Sequence, residues 1–84
     1  MFEVKFTKQA IKDLKKIDKT VLVRIKGYIN ELKHNPREKG KQLSGNLHGL
    51  WRYRIGKYRI IVEIKDNELI LLVVKVSKRE NVYN

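Results

Sequence analysis

The chain has 84 residues, with 20 Lys and Arg against nine Asp and Glu, a net charge of +11 and 42% hydrophobic residues; this describes one small folded basic domain, residues 1–84, rather than a disordered segment. Such charge implies a polyanionic partner, nucleic acid or an acidic protein before a membrane surface, because the longest apolar run, Leu69 to Val74, falls far short of the ~20 residues of a spanning helix. With no cysteine there is no disulfide, thiolate metal site or thiol nucleophile, and the N-terminus lacks a signal-peptide pattern, so a cytoplasmic protein is expected.

Alternation from Phe2 to Phe6 predicts a short strand. Thr7 is placed to cap a helix carrying Ala10, Ile11, Leu14 and Ile17 on one stripe. After a break near Asp18-Lys19, Thr20 or Asp18 opens a longer helix with Leu22, Ile25, Ile29 and Leu32 at helical spacing. Asn35-Pro36 ends it, with His34 expected in the last turn and Gly27 expected to allow close approach of the first helix. Residues 35–49 form a polar connection, followed by strands at 50–55, 58–65 and 68–76. Asp66-Asn67 is read as a tight turn between the last two strands. The final strand is apolar on both faces, which places it centrally. The predicted fold is α+β: an N-terminal strand and a two-helix hairpin covering one face of a mainly antiparallel sheet of about four strands.

The segment from Trp51 to Ile60 alternates cations with aromatic and aliphatic residues and holds no acid. A two-residue Gly56-Lys57 loop suits a type II′ hairpin, which sets Arg54 against Arg59, Tyr53 against Ile60 and Arg52 against Ile61. Side chains alternate along a strand, so Arg52, Arg54 and Arg59 share one face. Like charges opposed across a ladder are destabilising, and the arrangement suits an anion held between them. The guanidinium fork matches phosphate. Lysines dominate the helices and read as a solvated surface, whereas Arg52, Arg54, Arg59 and Arg79 gather in the sheet and tail.

No motif for metal or cofactor is present: His34 and His48 are far apart, no HxH or HExxH spacing occurs, and neither Ser44 nor Ser77 sits in a nucleophile elbow. Metal-free chemistry on RNA remains. There the 2′-OH is the nucleophile, and preorganised cations stabilise the developing charge, usually the greatest single contribution to such catalysis. Tyr83 is placed to stack on or orient a base, and His48 is a candidate proton carrier.

Three stretches together, Leu43-Ser44-Gly45, Trp51 to Ile61 and Val76 to Tyr83, resemble the RelE branch of the RelE/ParE toxin superfamily, and the resemblance spans nearly the whole chain. It implies a toxin of a toxin–antitoxin pair that cuts mRNA in the ribosomal A site without metal or cofactor, restrained by an acidic RelB-like antitoxin. It also implies catalytic roles for Arg52, Arg54, Arg59, Arg79 and Tyr83, and RNA binding by Arg52, Arg54, Lys57, Arg59 and Lys78. Arg52 and Arg59 would hold the backbone and stabilise the transition state. Arg79 would stand at the leaving 5′-oxygen, and Tyr83 would orient the nucleotide. Lysine is the family's usual residue where Arg54 stands. Because arginine does not deprotonate, Arg54 is electrostatic and the general base is Tyr83, His48 or a ribosomal group. A ParE-like inhibitor of DNA gyrase and a non-catalytic RNA-binding module are the rival expectations.

Overall fold

The computed structural model describes residues 1–43 and 49–78. In chain order the elements are β1 (Glu3–Phe6), α1 (Lys8–Lys15), α2 (Lys19–Leu32), β2 (Lys41–Gln42), β3 (Leu50–Ile55), β4 (Tyr58–Lys65) and β5 (Ile70–Lys78). The strands form a five-stranded sheet in the order β1-β5-β4-β3-β2, antiparallel except that β1 runs parallel to β5. The strand that is apolar on both faces, β5, therefore lies inside the sheet, as expected.

Thr7 caps α1 by accepting the Ala10 N–H at 3.1 Å. Asp18 is the N-cap residue of α2, without a side-chain capping bond. Ala10 of α1 and Ile25, Ile29 and Leu32 of α2 are buried against one face of the sheet. The sheet contributes Tyr53, Ile60, Val62, Ile64, Leu71, Val73 and Val76 to this core. Alternate residues of β4 are buried and half-buried, so only one face is covered by the helices.

Four local expectations are corrected. The sheet has a fifth strand, the two-residue β2, inside the segment expected to be a plain connection; both of its residues are exposed, so no alternation marks it. Gly27 serves no helix contact: a Cβ built there would meet nothing within 4 Å. His34 lies beyond the end of α2, which closes on Lys33. Between β4 and β5 a 3₁₀ turn, Asp66–Glu68, replaces the tight turn, with Leu69 in the left-handed region at φ 53°. No helix among the described residues is long and apolar enough to cross a membrane.

One irregularity interrupts β5. Ile61 faces Lys75 while Val62 faces Val73, leaving Val74 as an extra residue. The first helix and its cap supply the missing partners. Thr7 Oγ1 donates to the Val74 carbonyl at 2.8 Å, and the Val76 N–H donates to Asp13 Oδ2 at 2.9 Å. Because of the extra residue, Val73 and Val76 both point into the core although they are three apart. Asp13→Ala is expected to lower stability by ~1–3 kcal/mol, since the Val76 N–H loses its acceptor in a partly buried setting. Thermal melting beside Lys12→Ala, on the exposed side of the same helix, measures this; equal melting points would show that the bulge stands without Asp13.

Candidate nucleic-acid interface

The hairpin between β3 and β4 has the register expected from the sequence: Arg54 opposite Arg59, Tyr53 opposite Ile60, Arg52 opposite Ile61. Gly56 takes φ 56° at the first loop position, where a side chain would be strained. Since Tyr53 and Ile60 are buried beneath the helices, Arg52, Arg54 and Arg59 occupy the opposite face. Two rows cross this face. One holds Arg54, Arg59 and Ser77, and its neighbour holds Lys41, Arg52, Ile61 and Lys75.

Arg59 is the inner member of its row, with β3 on one side and β5 on the other. Its Nε is buried and finds no hydrogen-bond partner among the described residues. A buried donor left unpaired is costly, and an arriving anion is one way to satisfy it. Lys57 sits exposed at the hairpin tip. Lys78, opposite Tyr58 at the end of β5, falls by alternation on the helix-bearing side, away from the arginine face. Arg79, Tyr83 and His48 lie outside the described residues.

The segment leading into β2 is held from below. The Tyr53 hydroxyl donates to the Pro36 carbonyl. Burial, reinforced by Tyr28, pushes that hydroxyl up to about 12, so it keeps its proton at ordinary pH. Tyr28 meets the Tyr53 ring edge-on at a centroid distance of 6.1 Å. Gly40 crosses the Tyr53 ring so closely that an added Cβ would sit 2.6 Å from it. Arg37 makes a two-pronged bond to Asp66, at 3.1 and 2.8 Å, and lies 5.6 Å from the Trp51 ring centroid. Those bonds hold the Asp66 carboxyl below its usual range. The pair is exposed, so it orients the loop more than it stabilises the fold.

Beside the arginines this loop shapes a depression of about 180 Å³, lined by Lys39, Lys41, Arg52 and Arg54 without an acid. Sequence reasoning misses Lys39 and Lys41. The Lys39-Gly40-Lys41 triplet is the available signal, but the surrounding polar stretch offers no strand periodicity to place it. A larger hollow of about 430 Å³ lies at the β4–β5 turn between Glu63 and Glu68, and its acids do not suit an anion. Among the described residues no three of His, Asp or Glu come together as a metal site. Among the described residues, what the arginine face offers chemically is fixed positive charge in a row, without a carboxylate or imidazole placed as a base.

The ParE toxin family of type II toxin–antitoxin systems (parDE) matches residues 4–83. The toxin RelE1 of Methanocaldococcus jannaschii is 35% identical, the match covering 98% of this chain and 94% of that protein. The mRNA interferase toxin RelE of Escherichia coli K12 is 27% identical over 89% of this chain and 80% of its own length. Among solved structures, the RelBE2 toxin–antitoxin complex of Mycobacterium tuberculosis contains a chain that superposes with a TM-score of 0.87 at 28% identity, covering 95% of this chain and 93% of that one. The arginine-bearing hairpin, the two-helix cover and the parallel first strand thus belong to a toxin, and the chain is a member of the RelE/ParE superfamily of type II toxin–antitoxin systems.

Proposed function

We propose that this toxin is a cytoplasmic, ribosome-dependent endoribonuclease that cuts mRNA by metal-free chemistry, with residues 1–84 acting as one toxin domain. The observation that carries this reading is the direct opposition of Arg54 and Arg59 on the uncovered face, with Arg52 beside them and no acid in either row. The name mRNA interferase on the Escherichia coli relative supports the substrate class. In the reaction the 2′-hydroxyl gives up its proton to a base (Tyr83, His48 or a ribosomal group), its oxygen attacks the adjacent phosphorus, and the bond to the 5′-oxygen breaks with its electron pair. The 5′-oxygen takes up a proton, leaving a 2′,3′-cyclic phosphate or, after hydrolysis, a 3′-phosphate. Arg52, Arg54 and Arg59 stabilise the charge that develops on the phosphoryl oxygens. By family resemblance Arg79 serves the leaving oxygen and Tyr83 orients the nucleotide, with Lys57 adding to the RNA-binding surface; Lys78, on the helix-bearing side of the sheet, does not join it. An acidic RelB-like antitoxin is the restraining partner, in line with the RelBE2 complex of the Mycobacterium tuberculosis neighbour. The charge of +11 suits such a partner.

Mapping mRNA 5′ ends after adding purified toxin to translating ribosomes tests the reading. New ends at A-site codons are expected. The family match is to ParE toxins, which keeps a gyrase inhibitor as the second reading. A supercoiling assay alongside therefore decides: poisoned gyrase with intact mRNA removes the nuclease assignment. Ribosome affinity is also expected to fall steeply with salt, by about 0.7–0.9 in log–log slope per phosphate neutralised. A slope near zero between ~50 and ~200 mM salt would argue against phosphate contacts on the arginine face.

A further inference from the structure

We infer that Lys41, with Arg52 and Arg54, forms a second phosphate subsite that holds the RNA backbone at a phosphate adjoining the one that is cut. This rests on the nuclease reading above. Lys41 lies directly opposite Arg52 across the β2–β3 ladder, just as Arg54 lies opposite Arg59 across β3–β4. Like-charge opposition, unfavourable in itself, thus occurs twice in neighbouring rows. The rows are two residues apart along β3, about 6.6 Å at strand spacing. That is the order of the separation between successive phosphates of an extended nucleic-acid strand.

The second pair has its own concavity, the 180 Å³ depression whose lining is cationic throughout. The acids Glu31 and Asp66 are engaged elsewhere: Glu31 meets Lys39 at 3.5 Å and Asp66 holds Arg37. Lys39 is thereby drawn towards Glu31 and the Tyr28 ring, and stands at the rim. Lys41 has no acidic partner among the described residues. Its backbone lies in the β2–β3 ladder opposite Arg52, between the Gly40 contact with Tyr53 and the Leu43 N–H bond to the Leu50 carbonyl, so the charge is presented on a fixed strand rather than a free loop. The lining also favours RNA over an acidic protein segment. A protein interface is expected to bring apolar side chains to its centre, and this depression offers none.

The test is single-turnover cleavage on ribosomes programmed with mRNAs that carry one neutral methylphosphonate, placed at either phosphate adjoining the cut. Lys41→Ala is expected to raise the half-saturating toxin concentration about tenfold, with a smaller fall in maximal rate. Its log–log salt slope should be shallower by about 0.7. Neutralising one adjoining phosphate should weaken the wild type but leave Lys41→Ala no weaker, and Lys41→Arg should restore wild-type behaviour. If wild type cuts and Lys41→Ala matches it in slope and in sensitivity to both neutral linkages, the subsite falls while the nuclease reading stands. Weakened antitoxin binding by Lys41→Ala, with its RNA parameters unchanged, would overturn the subsite in favour of a protein contact. If wild type cuts nothing, both fall together.

Discussion

Arg59→Ala is expected to slow single-turnover mRNA cleavage by ~10²–10³, the usual cost of removing one preorganised stabiliser of transition-state charge. Arg59 is the inner cation of its row, between Arg54 on β3 and Ser77 on β5, and its Nε is buried without a partner among the described residues. Little side-chain freedom is left to lose when phosphate arrives, so its contribution falls on the reacting group rather than on general affinity. Ribosome binding should accordingly weaken far less than the rate. Arg54→Lys is expected to keep most activity, because either residue supplies the charge and arginine supplies no base. Arg79→Ala should resemble Arg59→Ala if the family role holds at that position. Wild-type cleavage by Arg59→Ala would remove the anion site from the mechanism.

The largest stability effect is expected at Tyr53. Replacing it by alanine should cost ~3–5 kcal/mol, as for other buried aromatic truncations. The residue is fully buried, touches Tyr28, and carries the bond that anchors Pro36. For a domain of this size the melting temperature should fall by at least ~12 °C. Tyr53→Phe isolates the hydroxyl, at ~1–3 kcal/mol for a buried carbonyl left without its donor. A pH signature accompanies it. The folded hydroxyl titrates at about 12 and the unfolded one near its ordinary value of about 10. Its contribution is therefore whole below pH ~10 and is lost as pH rises towards the folded value. Chemical denaturation at several alkaline pH values should show this decline in the wild type and its absence in Tyr53→Phe. Identical profiles would show that Tyr53 is not the group responsible.

Both predictions depend on features of unequal legibility in the sequence. The hairpin register is readable because Gly56 admits the turn and strict alternation leaves only one way to bury Tyr53 and Ile60. The central place of β5 follows from its having no polar face. The site beside Lys41 is not readable. β2 is exposed on both sides, and it is held by Tyr53, Pro36 and Gly40, which share no common pattern along the chain. The bulge at Val74 is hidden for another reason. In the run Leu71-Leu72-Val73-Val74 every residue is apolar, so a shift of face changes no polarity and leaves no mark. Its partners, Thr7 and Asp13, belong to the other end of the chain.

The parallel pairing of β1 with β5 sets an order of events during synthesis. β1 is made first, yet its ladder partner is the last of the described strands, and β5 is also the strand that joins β1 to the rest of the sheet. The core cannot close over α1 until residues 70–78 have left the ribosome, because the Thr7 and Asp13 side chains find their partners only there. Contacts so far apart in sequence form late. A toxin built this way reaches its active shape only after residues 70–78 have been made, which leaves an interval in which an antitoxin can meet the growing chain.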